Sequence, residues 1–248
     1  MSTDSNITQY KGGVLLIGSL LWQNSLETGD DLRKNWRDAS LSIEKKIQVL
    51  VPIRYGRKSK NGIYTMTFSN SCKNKLGKAF FVPFKTNNVK DLDSFNKELT
   101  TLAIAEGMKG KLVAGEKIIW SAVTILINSK NNDALKIESI KKWWINRFAN
   151  EKVYDLEAFK IGEEDSAVKE NGILNISWPK TTQSGDQDIF DDFDFIIATA
   201  TVPTNYPNYN DLLKSILNDK DRKYFVNNNK NQIQTFQDEK ILEKLEKS

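Results

Sequence analysis

The chain has 248 residues, with 36 Lys plus Arg against 32 Asp plus Glu, one Cys and no His. Without imidazole, Ser-His-Asp and Cys-His nucleophile arrangements and His-ligated zinc or non-haem iron sites are excluded, and a lone Cys excludes internal disulfides and thiolate clusters. Catalysis is left to carboxylates, Lys, Tyr, Ser and Thr hydroxyls and backbone donors, or to an oxygen-ligated cation or borrowed cofactor, and a formal charge of +4 is no footprint of a dedicated nucleic-acid binder.

Residues 1–11 are polar and read as a loose lead-in. Val14-Leu15-Leu16-Ile17 is a short apolar run closed by Gly18-Ser19, the pattern of a buried strand entering a tight loop. The apolar stretch from Val14 to Trp22 is too short to span a bilayer and lacks a signal-peptide layout, so a cytoplasmic protein with no membrane partner is expected, in keeping with a single Cys72. Asp30 to Asp38 is polar around Trp36. Ile43 to Tyr55 reads as one or two strands, and Gly56 to Gly62 as a basic turn with Lys58 and Lys60 at its tip.

Ile63 to Phe68 and Lys78 to Val82 carry strand composition, the second stopped by Pro83, and they are expected to pair as adjacent antiparallel strands. Between Asp91 and Gly107 the residues Leu92, Phe95, Leu99, Leu102, Ala103 and Ala105 recur at helical spacing, with Gly107 as the stop. Ile118 to Ile127 reads as a strand and Asp133 to Phe148 as a helix. Residues 160–190 are acidic and irregular, Phe193 to Val202 returns as a strand, and Asp211 to Leu217 is helical. An Asn-rich loop over Asn227 to Asn231 is expected before a charged terminal helix.

Strands gathered early, with helices inserted rather than strictly alternating, indicate an α+β fold with a mixed, largely antiparallel sheet curled into a small β-barrel with peripheral helices. Residues 12–150 form the expected core. Residues 151–248 lack a large apolar set of their own and are expected to pack as an elaboration on that core.

Three groups of residues carry candidate chemistry. Gly18, Ser19 and Leu20 end the first strand, where backbone amides and a hydroxyl approach an anionic ligand, although a Gly-Ser pair also serves as a simple turn. Arg54 and Arg57 flank Tyr55-Gly56, and a guanidinium grips a carboxylate at two points; a charge inside a strand, as at Arg54, needs a partner or a cavity. Glu106 ends the 91–107 helix in apolar company that suits a general base, although composition favours a plain exposed Glu at the end of an amphipathic helix, and Glu98, about 80° round the helix, is the competing candidate. Lys141, Lys142, Trp143, Trp144 and Arg147 are read as an amphipathic helix rather than a nucleic-acid platform. The aspartates from Asp186 to Asp194 lack the spacing of a calcium loop and are read as a flexible acidic loop.

The order of a strand, Gly18-Ser19-Leu20, Trp22, an Arg33/Trp36 segment, a basic strand pair, Gly77-Lys78-Ala79 with Val82-Pro83, and then a Glu-bearing helix resembles the γ-glutamylcyclotransferase-like superfamily over roughly the first half of the chain. Ile17 stands where that superfamily has Tyr. The resemblance implies a small barrel, a loop at Gly18, Ser19 and Leu20 that holds substrate, Glu106 or Glu98 as base, and no cofactor or metal. In the implied reaction the α-amine of the substrate attacks its own γ-carbonyl, so no enzyme nucleophile is needed. The sequence leaves two readings: a cyclotransferase-like enzyme for a γ-glutamyl or related amine-bearing acyl substrate, and a non-catalytic relative that binds a small molecule or a protein.

Overall fold

The computed structural model describes residues 8–25, 30–59, 61–72, 74–115, 118–151, 156–219 and 222–246. Lys60 and the first seven residues of the expected lead-in lie outside them. The main sheet begins with β1 (Gly12–Leu16), every residue of which is buried, and a continuous apolar strand of that kind needs neighbours on both edges. It finds them in β5 (Gly77–Pro83), antiparallel, and β11 (Phe195–Thr201), parallel. Outside β5 lie β2 (Ile47–Val51) and the two-residue edge strand β10 (Lys180–Thr181). Beyond β11 lies β7 (Ser121–Ile127), which pairs with β6 (Val113–Ala114) and with β9 (Ile173–Leu174), followed by β8 (Val168–Lys169).

The protein is therefore α+β with a large mixed sheet. Among the described residues the sheet does not close into a barrel: its path ends on β10 at one side and β8 at the other, and both edge strands are too short to complete a ring.

The pairing expected between Ile63–Phe68 and Lys78–Val82 is corrected as well. Pro52 has no N–H for a ladder and separates β2 from β3 (Ile53–Lys58), which forms its own two-stranded sheet with β4 (Tyr64–Phe68). The basic turn therefore starts later than expected, since β3 runs through Arg57 and Lys58. An irregularity in the register at Gly56 places Tyr55 on the buried side, with Arg54 and Arg57 both only partly buried.

The helices cover this framework. The polar segment around Trp36 forms α1 (Leu32–Ser40), with Trp36 buried. A 3-10 turn over Leu92–Phe95, capped by Asp91, leads into α2 (Asn96–Ala105). All six apolar positions that predict this helix are buried, and Gly107 ends it at a φ of +76°. Asp133 caps α3 (Ala134–Phe148) by accepting the Lys136 N–H at 3.0 Å. Trp143 and Trp144 on α3 are core residues, and Lys141 and Lys142 face solvent.

The acidic 186–194 segment is not simply a loop: it holds α4 (Gln187–Asp191), and Asp194 is buried against Lys136 at 2.7 Å and the Lys11 N–H at 2.7 Å. After α5 (Tyr209–Asn218), the Asn-rich segment expected as a loop is α6 (Lys223–Lys230), anchored by buried Phe225 and Asn228, and α7 (Asp238–Leu245) follows.

One continuous hydrophobic core runs from Val14 to Ile241. Residues 151–248 supply its central strand β11 as well as α6 and α7, so no boundary near residue 150 divides the sheet. Among the described residues, no helix is long and apolar enough to cross a membrane.

Candidate functional site

β1 ends in a 3-10 turn, Gly18–Leu21. Gly18 has a φ of +73°, a region that L side chains avoid, and a Cβ there would stand 2.3 Å from the Tyr224 hydroxyl. This position needs glycine for its backbone and for its neighbour, which is a different reason from the ligand approach expected. Leu20 is buried and serves the core. Ser19, between them, is only partly buried. Its carbonyl accepts the N–H groups of Trp22 at 3.2 Å and Gln23 at 2.8 Å, which closes the turn.

The first turns of α1 bring two arginines to this turn, four residues apart and hence on one helix face. Arg37 is 7% exposed and donates to the carbonyls of Leu20 and Gln23, both at 2.8 Å, and to Asn24 Oδ1 at 2.7 Å. Burial, reinforced by the charge of Arg33, holds its pKa below the usual guanidinium value. Arg33 reaches further. Its Nη1 donates to Ser19 Oγ at 3.0 Å and to Gln23 Oε1 at 2.7 Å, and its Nη2 donates to Glu106 Oε2 at 2.7 Å. Its Nε donates to the Ala105 carbonyl at 3.3 Å, so the cation also sits on the C-terminal end of α2, where the helix dipole favours it.

The Arg33 and Glu106 side chains are 11% and 16% exposed, and no described residue bonds Glu106 Oε1. One guanidinium fork thus joins the turn after β1 to the end of α2, across 73 residues of sequence.

Glu98 lies elsewhere. It is 6% exposed, accepts Thr86 Oγ1 at 3.1 Å through Oε1, and its Oε2 is buried with no hydrogen-bond partner among the described residues. Of the two competing carboxylates, Glu106 is the one joined to Ser19.

The two strand arginines are not brought to Ser19 either. Arg54 stacks on Tyr206, 4.0 Å from the ring centre, and donates to Ser71 Oγ at 3.0 Å. Arg57 lies over Trp120 and donates to the carbonyls of Trp120 at 3.2 Å and Val202 at 3.3 Å, and burial lowers its pKa. Each charge meets other parts of this chain, although Arg54 Nε is buried without a hydrogen-bond partner among the described residues.

Sequence reasoning missed the guanidinium link: Arg33 stood in the resemblance without a role, and the spacing of Arg33 and Arg37 on an α-helix was the available signal. It missed α6 as well. Trp22 Nε1 donates to Asn228 Oδ1 at 2.7 Å, and the Tyr224 hydroxyl, against Gly18, accepts the Met66 N–H at 3.0 Å.

A surface groove of about 440 Å³ starts one residue beyond Glu106, lined by Gly107, Met108, Lys109, Lys111 and Trp120 among others. Larger grooves, about 550 Å³ between Asn70 and Trp178 and about 570 Å³ between Tyr10 and Arg147, contain none of the expected site residues.

Comparison of the chain with family models, with curated proteins and with solved structures gave no match.

Proposed function

We propose that the protein is a γ-glutamylcyclotransferase-like enzyme that cyclises a γ-glutamyl or related amine-bearing acyl substrate, with Glu106 as general base. The observation that carries this reading is the Arg33 fork, which holds the Glu106 carboxylate and the Ser19 hydroxyl together at 2.7 and 3.0 Å while all three groups keep some access to solvent. On this reading the large sheet, with the β3–β4 pair beside it, is an opened form of the small barrel that the resemblance implies.

The chemistry follows from that arrangement. Glu106 Oε1 takes a proton from the substrate α-amine, the nitrogen attacks the γ-carbonyl carbon, and the five-membered ring closes. The amide C–N bond then breaks, and Glu106 returns the proton to the departing amine, leaving 5-oxoproline. Because Ser19 Oγ accepts from Arg33, its own O–H is free to donate to the carbonyl oxygen as negative charge develops there. Holding amine and carbonyl in one molecule supplies much of the acceleration, so a base and an oxyanion donor suffice.

The non-catalytic reading draws on a different observation: the Tyr224 hydroxyl fills the space beside Gly18, so Gly18 is needed for packing and not for approach of a substrate. Incubation with γ-glutamyl peptides and γ-glutamyl amines, following 5-oxoproline, separates the two. Release that Glu106→Gln abolishes supports the enzyme, whereas no release from any of them leaves the binding module.

A further inference from the structure

Helix α6 grips the Gly18–Leu21 turn at both ends. Tyr224 and Asn228 are four residues apart and share one helix face. The Tyr224 hydroxyl lies where a Cβ of Gly18 would collide at 2.3 Å, and Asn228 Oδ1 accepts the Trp22 indole N–H at 2.7 Å. The Trp22 and Tyr224 rings also meet edge to face, 6.3 Å between centres.

The phenol has little freedom to move, because the Met66 N–H of β4 donates to it at 3.0 Å, and burial pushes its pKa up to about 12, so it stays protonated and neutral. Asn228 is fully buried. On the opposite side the turn is held by Arg33 and Arg37 of α1. The turn is thus clamped between two helices from opposite ends of the chain, and its one solvent-accessible polar side chain is Ser19, whose hydroxyl meets Arg33.

We infer that Tyr224 and Asn228 are positioning residues of the Ser19–Arg33–Glu106 site: through the turn they set the place of Ser19 Oγ, and through Ser19 and Arg33 the place of the Glu106 carboxylate. This rests on the cyclotransferase-like reading and extends it, since it makes the C-terminal helix part of the reacting apparatus. Neither residue touches substrate. The polar atoms of α6 that meet the turn therefore matter for rate, and substrate binding does not depend on them.

The test uses the full chain and the variants Tyr224→Phe, which keeps the ring, and Asn228→Leu, each checked by circular dichroism and assayed at a temperature where it is folded. Both lower kcat for 5-oxoproline release about ten-fold per folded molecule and leave KM within about two-fold. In a Ser19→Ala background neither substitution costs anything further, because the link it acts through is gone. Amide exchange at Trp22 and Gln23, whose N–H groups bond the Ser19 carbonyl, quickens in both variants.

Unchanged kcat in an active, folded Tyr224→Phe and Asn228→Leu, or losses of the same size with and without Ser19, would overturn the inference and leave the cyclotransferase-like reading standing. A wild-type protein that releases no 5-oxoproline defeats that reading and the rate claim together. Unchanged exchange at Trp22 and Gln23 defeats the clamp itself, whatever the activity.

Discussion

A methyl group at position 18 meets two obstacles at once, a φ of +73° and a hydroxyl 2.3 Å away. Gly18→Ala is therefore expected to destabilise the protein by about 1–3 kcal/mol, the usual range for a strained backbone position. Pairing it with Tyr224→Phe should recover the part that comes from the collision and leave the part that comes from φ. Denaturant midpoints of the two single variants and the double variant measure this, and strictly additive effects would contradict it.

Cys72 makes a second prediction at this scale. Its thiol is 2% exposed, donates to the Ser69 carbonyl at 2.9 Å, and is pushed up to about 11 by burial, so at neutral pH it is a protonated, covered group. A thiol reagent should leave the native protein unmodified and react fully once it is unfolded; rapid native labelling would show that the Cys72 region opens.

At the residue scale the sequence shows side-chain types but not their partners. Glu106 and Glu98 were both legible as carboxylates on one helix, and what distinguishes them, Arg33 on one and Thr86 on the other, comes from tertiary contact. Arg54 was legible as a charge in need of a partner. That the partners are Tyr206 and Ser71 was not.

Among elements, α6 departs furthest from its sequence. Asparagine favours turns and competes for backbone hydrogen bonds, so a run of three from Asn227 reads as a loop. The helix forms because Phe225 packs into the core and the buried Asn228 Oδ1 accepts the Trp22 indole N–H, although Asn228 Nδ2 is buried without a hydrogen-bond partner among the described residues. By contrast, α2 and α3 were legible, since their apolar faces follow the helical period; Asp133 caps α3, and Asp91 caps the 3-10 turn that leads into α2.

The first residue of α7 makes a prediction about pH. Asp238 is 1% exposed, and desolvation raises its carboxyl from 3.8 to about 6, an effect partly offset by the Thr235 hydroxyl, which donates to Oδ1 at 2.7 Å. Between these two values the native chain binds a proton that the unfolded chain has released. Stability therefore falls as pH rises from about 4 to about 6, by about 3 kcal/mol in this one contribution, and is flat in it above that window. Asp238→Asn keeps an acceptor for Thr235 and removes the titration. Its stability curve should lack this slope, and a slope unchanged from wild type would assign the effect to another group.

For the molecule as a whole, the decisive arrangement is β11 between β1 and β7. Composition located a strand over Phe193 to Val202, but a buried strand of continuous apolar residues carries no mark of which neighbours it will have. The pairing of Gly12 with Phe195 spans about three quarters of the chain and was invisible for that reason. Closure was not legible at this level either: among the described residues the sheet ends on edge strands only two residues long and is not closed.

A chain ending at residue 150 would lack β11, leaving β1 with β5 alone and β7 without its seven-residue partner. It should show no cooperative unfolding transition, and a sharp transition by circular dichroism would mean that the first 150 residues hold a complete core.

The Arg33 fork joins Glu106, and not Glu98, to Ser19, and the proposed reaction therefore uses Glu106 as its base. The measurement that tests this most directly is 5-oxoproline release from a panel of γ-glutamyl peptides and amines by the wild-type protein, Glu106→Gln and Glu98→Gln, each confirmed to be folded. The expected result is release by the wild type, loss of about 100-fold or more in kcat with Glu106→Gln, and a rate close to wild type with Glu98→Gln. No release by the wild type, or release that survives in Glu106→Gln, would contradict it.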